Sequence, residues 1–251
     1  MPRYFIEVGY KGTAYAGFQV QQNANTIQAE IENALQVYHR KTFELTGSSR
    51  TDAGVHALQN YFMVDVDGAL ADTTKTMYHV NAILPKDIVV KNITLVADDA
   101  HCRFDALHRS YRYCISTKKN PFLLEQAYYS PFELDVQAMN DCAKMLPNNS
   151  NFESFAKKNT QVFTHECTIY KSEWTVQNDI LEYNVQGNRF LRGMVRGLVG
   201  TMLLVGRGKY STAIFKEIIE SHNASKTDFS APAHGLTLMQ VAYDDALLAI
   251  K

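Results

Sequence analysis

Strict alternation of apolar and polar residues over short runs, and apolar residues at helical spacing over longer ones, take turns along this chain. Arg3 to Tyr10 predicts a strand, and Thr26 to Arg40 predicts a helix with Ile27, Ile31, Leu35 and Tyr38 on one stripe behind a Thr26 cap. Thr42 to Thr46 and Gln59 to Val66 predict two strands. Asp72 to Leu84 predicts a second helix, stopped by Pro85, and Ile88 to Val96 a further strand. The order is β, α, β, β, α, β.

The second half repeats that order. Arg109 to Thr117 predicts a strand, Val136 to Leu146 a helix, and Thr168 to Gln177 and Ile180 to Val185 two strands. Helices follow at Arg189 to Val205 and Thr212 to Ser221, then a strand at Gly235 to Ala242. The halves share a pattern without sequence identity. Two split β-α-β units side by side imply an α+β protein, its halves ferredoxin-like, with a mainly antiparallel sheet and helices on one face. A seam near Asp98 to Asp105 assigns residues 1–104 to an N-terminal half and 105–251 to a C-terminal half. A site is expected on the open sheet face or in a cleft between the halves.

Composition narrows the class. With 251 residues, 46% of them hydrophobic, the chain has enough apolar mass for a substantial core. The opening "MPRYFIEVGY" places Glu7 where a signal peptide is apolar. The apolar tract from Phe190 to Val205 carries Arg192 and Arg196 and falls short of the roughly 20 apolar residues of a membrane span. A cytoplasmic protein is expected. The four cysteines, Cys102, Cys114, Cys142 and Cys167, are scattered without metal-site or redox spacing, so buried free thiols are expected and no metal or other cofactor is implied. A formal net charge of -1 does not favour a nucleic-acid partner. The distribution of charge matters more than its sum.

Three stretches carry candidate chemistry. In "GSSRTDAGVHAL", Asp52 lies two residues from Arg50, a fixed positive charge that favours an ionised carboxylate, and Gly54 permits an unusual turn that exposes it. An ionised carboxylate so presented suits a nucleophile or electrostatic stabiliser, although an aspartate that merely hydrogen-bonds its own turn fits the same pattern. In "RFDALHRSYRYCI", Arg103, His108, Arg109 and Arg112 interleave with Tyr111 and Tyr113, a mixture that suits phosphate contacts and base stacking. On a strand, Arg109, Tyr111 and Tyr113 share one face and Ser110, Arg112 and Cys114 the other; tyrosines in an ordinary core strand are the alternative. In "NRFLRGMVRGLVGTMLLVGRGK", Arg189, Arg192 and Arg196 fall at helical spacing on one face. Gly193, Gly197 and Gly200 lie near that face, where each costs about 1 kcal/mol relative to alanine, so another backbone, of protein or nucleic acid, is expected to approach closely. The plainer reading is a core helix whose arginines pair with distant carboxylates.

Taken together, "GSSRTDAGVHA", "RFDALHRSYRY", "NFESF", "NRFLRGMVRGLVG" and "APAHGLTL" resemble, in order and approximate spacing, the tRNA pseudouridine synthase A (TruA) family over nearly the whole chain. The resemblance implies the pseudouridine synthase fold and isomerisation of uridine to pseudouridine in the anticodon stem-loop of tRNA, at positions 38–40, without a cofactor. It implies that Asp52 is the nucleophile, that Arg50 pairs with it or holds RNA, and that Tyr111 packs against the target uracil and takes the proton from C5. It places Arg196 near the catalytic aspartate, lets Leu236 line the pocket, and makes Arg103 and Arg192 substrate-binding. A homodimer is implied, each tRNA touching both subunits, with Lys118, Lys119, Lys157 and Lys158 as phosphate contacts. Departures from the family pattern are Lys11 for an aspartate, Phe18 for a tryptophan, and Glu166-Cys167 where an arginine is usual. A noncatalytic RNA-binding module or tRNA chaperone on the same scaffold is the alternative, and it would not need Asp52.

Overall fold

The computed structural model describes residues 1–157 and 163–248. In chain order its elements begin with β1 (Arg3–Tyr10), α1 (Ile27–His39), β2 (Thr46–Gly47), β3 (His56–Asp65), α2 (Thr73–Ile83) and β4 (Ile88–Val96). They continue with β5 (His108–Ser116), β6 (Tyr128–Tyr129), α3 (Val136–Ala143), β7 (Ile169–Gln177) and β8 (Ile180–Gly187). Last come α4 (Met194–Gly206), α5 (Thr212–Glu220), β9 (Leu236–Ala242) and α6 (Asp245–Leu248). This is a mixed α/β protein whose strand pairs are mainly antiparallel.

Two compact units divide the chain, the first comprising residues 1–108 and those from Leu238 on, the second residues 109–237. In the first unit β1 is central, antiparallel to β3 on one side and β4 on the other. Along the far edge of β3, β2 pairs with Phe62 and Met63, and β9 also neighbours β3. The first unit thus combines residues up to His108 with a later segment that begins at Leu238. Aromatic packing and hydrogen bonds hold it there. The Tyr243 ring lies 5.4 Å from Phe5 and 5.0 Å from Tyr61, and its hydroxyl donates to the Cys102 carbonyl and lies 3.2 Å from Ser48 Oγ.

Helix ends follow from local chemistry. Thr26 caps α1 by accepting from the Ala29 amide, and the helix ends at Arg40 in the left-handed region, φ 55°. Asp72 caps α2, Asp135 caps α3 and Ser211 caps α5 in the same way. The strand expected at Thr42 to Thr46 shrinks to its last residue and Gly47. The reason is that α1 side chains satisfy the preceding backbone: Leu45 N–H donates to Glu32 Oε1, and the Leu45 carbonyl accepts from Gln28 Nε2.

In the second unit β5, β8 and β7 form an antiparallel set, with β6 parallel to β5. Helices α3, α4 and α5 pack on one another, and α3 is stitched to β7 by two bonds between the Asn140 side chain and the Trp174 backbone. No helix among the described residues is long and apolar enough to cross a membrane.

All four cysteines are free; Cys102, Cys142 and Cys167 are buried as expected, and Cys114 is half-buried. Burial pushes the Cys142 thiol up to about 12, and Cys114 and Cys167 up to about 11. Because the thiolate is the reacting species, at pH 8 Cys114 and Cys167 should alkylate roughly a hundredfold, and Cys142 roughly a thousandfold, more slowly in the folded protein than in urea. Mass spectrometry after a timed maleimide pulse reads this directly; fast labelling of any of the three in the folded chain would contradict it.

Candidate active site

Residues 48–55 form the connection from β2 to β3, and the fold holds it from inside. Ser48, Ser49, Thr51 and Val55 are buried, while Arg50 is exposed and Asp52 half-exposed. The Ser48 amide donates to the Tyr61 carbonyl, and the Phe18 amide donates to the Thr51 carbonyl. Tyr10 Oη lies 2.8 Å from Thr51 Oγ1, and Asn60 Nδ2 donates to the Ser49 carbonyl at 2.8 Å. The Val55 amide then closes a turn on the Asp52 carbonyl at 3.1 Å, and Gly54 at its third position has φ 81°. That is the conformation a type II turn demands there, which is why glycine occupies it. Main-chain closure and buried neighbours thus shape the turn.

His56 opens β3 and is buried; its Nδ1 accepts from the Gly12 amide at 2.9 Å, tying the segment after β1 to the end of the loop. Phe18 stands where the resembling family has tryptophan. Its buried ring stacks on Phe62 at 4.4 Å, so the local support is aromatic despite the change. Lys11 keeps a main-chain role, donating its amide to the Asp87 carbonyl. Sequence reading passed over Tyr10, Asn60 and Tyr243. The signal available was Asn60 itself, an amide set in the apolar strand "HALQNYFMVD".

The second unit carries the other expected residues. On β5, Arg109 and Tyr113 are buried, Tyr111 is half-buried, and Tyr111 meets the Phe190 ring edge-on at 5.2 Å. Tyr113 is therefore the core tyrosine of the pair, and Tyr111 the one with surface to offer. Burial raises the Tyr113 hydroxyl far above its ordinary value, so it remains a donor, and it gives its proton to the Pro232 carbonyl at 2.9 Å. Arg196 Nε donates to the neighbouring Ala231 carbonyl at 2.7 Å. These two bonds pin the segment that leads into Leu236, itself buried.

The face of three arginines does not form. Helix α4 starts only at Met194, because Gly193 takes φ 72° and breaks the helical run ahead of it. Arg189 and Arg192 lie in the loop before the helix, Arg192 exposed and its carbonyl accepting from the Lys157 amide. Of the three, only Arg196 is helical. The close approach expected at the glycines is real, and the partner is this protein's own chain: a Cβ on Gly200 would lie 2.2 Å from the Asp228 carbonyl oxygen, and one on Gly197 would lie 2.8 Å from the Phe229 ring.

Lys118 forms a 2.8 Å ion pair with Asp179, and Lys119 is exposed. Lys158 lies outside the described residues. Arg103 is exposed with its guanidinium 5.9 Å from the Phe104 ring, and Cys167, in the departing "THECTIY" segment, is buried. Among the described residues no group of three or more His, Cys, Asp or Glu side chains could hold a metal ion.

The family model described as tRNA pseudouridine synthase matches residues 7–105 and 143–244. The chain is 41% identical over its full length to tRNA pseudouridine synthase A of Parabacteroides distasonis, covering all of that protein, and 44% identical over 242 residues to that of Bacteroides fragilis, covering 96% of each chain. The chain belongs to the tRNA pseudouridine synthase A family. It is accordingly an isomerase acting on uridine in tRNA. A more distant member, tRNA pseudouridine synthase A of Staphylococcus aureus strain MRSA252, is 36% identical over 245 residues, 97% of this chain and 92% of that one. Both matched segments of the family model contain expected site residues, the first Asp52 and the second Arg196 and Leu236.

Proposed function

We propose that this synthase isomerises uridine in the anticodon stem-loop of tRNA with Asp52 as its nucleophile. The observation that carries the reading is the loop itself: alternate residues Ser49 and Thr51 are buried, which leaves Arg50 and Asp52 on the accessible side. Arg50 supplies positive charge to the carboxylate or to the RNA. Tyr111, Arg196 and Leu236 of the second unit complete the set, with Arg103 and Arg192 as further RNA contacts. Each unit in this reading is a ferredoxin-like half, the enzyme acts as a homodimer, and it works in the cytoplasm.

The reaction asks little of the protein. The C1'–N1 bond of a uridine breaks, uracil turns, and C5 bonds to C1'; the C5 proton leaves and N1 takes one up, so atoms and electrons balance without water or a redox partner. Asp52 either attacks C1' or assists departure of uracilate with formation of a glycal, taking the C2' proton and returning it when C5 bonds to C1'. Unlike glycoside hydrolysis, no second carboxyl is needed to protonate the leaving group, because uracilate is a delocalised anion. In this reading Tyr111, which is half-buried, packs against the freed base and takes the C5 proton. Before this, the uridine must leave its stack at a cost of a few kcal/mol, which contacts to phosphates must offset.

A pair of tRNA transcripts tests the choice of arm. One carries uridines in the anticodon stem-loop, and the other has those uridines replaced by cytidine with compensating partners. Pseudouridine is expected in the first and absent from the second; pseudouridine at undiminished level in the second would overturn the assignment to that arm.

A further inference from the structure

Asn60 is fully buried in the apolar strand β3, and each of its side-chain polar atoms has a partner. Its Oδ1 accepts from the Tyr61 amide at 2.9 Å, and its Nδ2 donates to the Ser49 carbonyl at 2.8 Å and to Tyr10 Oη at 3.2 Å. Tyr10, also buried, shares the 2.8 Å hydrogen bond with Thr51 Oγ1. A buried amide is unfavourable unless so satisfied, and an apolar residue would serve the strand better. What Asn60 gains for the fold is a grip on the main chain at residue 49 and, through Tyr10, on the side chain at residue 51. Arg50 and Asp52 are the residues that alternate with those two anchors.

We propose that Tyr10 and Asn60 are positioning residues for Asp52: a buried hydrogen-bond relay from β3 through β1 to Thr51 sets where the carboxylate sits. The proposal rests on Asp52 being the nucleophile. Displacement of a reacting group by about 1 Å costs on the order of a hundredfold in rate, so a relay that fixes residue 51 reaches the chemistry without touching substrate.

The test uses the full-length enzyme and unmodified tRNA transcript, with single-turnover rates at saturating enzyme and tRNA affinity measured separately. Thr51→Val and Tyr10→Phe each remove one hydroxyl from the relay and keep the shape. Each is expected to slow pseudouridine formation roughly tenfold to a hundredfold, with affinity for tRNA within about twofold of wild type and thermal unfolding still cooperative. The double variant should be no slower than the worse single, because both lose the same bond. Thr51→Ser, which restores the hydroxyl, should recover most of the rate. Wild-type rates in Thr51→Val and Tyr10→Phe, or a loss confined to tRNA affinity, would overturn the proposal. Asp52→Asn in the same assay separates the two ideas. If it is active, the nucleophile assignment fails; if it is inactive while both hydroxyl variants run at full rate, the positioning role alone fails.

Discussion

Asp52→Asn is expected to slow pseudouridine formation by about a thousandfold or more while leaving tRNA affinity close to wild type. A thousandfold corresponds to about 4 kcal/mol of transition-state stabilisation, the scale on which a lost nucleophile registers. Asparagine has the size of aspartate but no negative charge to offer C1'. The loop should survive the change, because its turn is closed by the Asp52 carbonyl and the Gly54 conformation, and its anchors are Ser49 and Thr51. A fall in rate with unchanged affinity marks an interaction made in the transition state alone. Equal losses of rate and affinity, or a collapse of thermal stability, would show that the carboxylate is structural instead.

The second large effect is on stability. Gly200→Ala is expected to destabilise the protein by about 2 kcal/mol, and Gly200→Val by more, with urea unfolding as the measurement. Helix propensity opposes this, since alanine is favoured over glycine by about 1 kcal/mol inside a helix such as α4. Packing wins because the obstacle is backbone. The Asp228 carbonyl oxygen would lie 2.2 Å from the new Cβ, and it has little freedom to withdraw: the Asp228 amide donates to Thr201 Oγ1, and Thr227 Oγ1 donates to the Ser154 carbonyl. Residues 231 and 232 follow on the same segment, held by Arg196 and Tyr113. The variant should therefore also lose activity, at temperatures where it remains folded. An unfolding midpoint at or above wild type for Gly200→Ala would show that the segment yields and that propensity decides.

Where the pattern of residues is strong, element and end were both legible. β1 and β4 have the bounds their alternation implies, and α1 and α2 start behind Thr26 and Asp72 as their capping chemistry requires. The failures come from features that periodicity does not register. Arg189 and Arg192 fit a helical spacing, but spacing is blind to the φ 72° that Gly193 adopts. Residues 42–45 read as a strand because nothing local reveals that α1 side chains bond their backbone. The return of the last strand to the first unit depends on Tyr243 packing against Phe5 and Tyr61, ring contacts that no local periodicity encodes.

The candidate site was legible to a different degree. Gly54 and the polar run around it marked the Asp52 turn, and the structure puts Asp52 and Arg50 on its accessible side. The means of holding that turn were not legible. Tyr10 is fifty residues from Asn60, and only the antiparallel pairing of β1 with β3 brings their side chains to 3.2 Å. Likewise Tyr111 and Tyr113 share a strand face, and burial, which separates their roles, follows from what packs over each: Phe190 beside one, the Pro232 and Gly235 segment on the other.

The most direct test of the central claim, that this chain makes pseudouridine in tRNA through Asp52, is chemical mapping of pseudouridine in an unmodified tRNA transcript. The transcript is incubated with the purified wild-type protein and, in parallel, with Asp52→Ala. Pseudouridine is expected in the anticodon arm with the wild type and nowhere with the variant. A wild-type protein that leaves every uridine unchanged, or a variant that makes as much pseudouridine as the wild type, would contradict it.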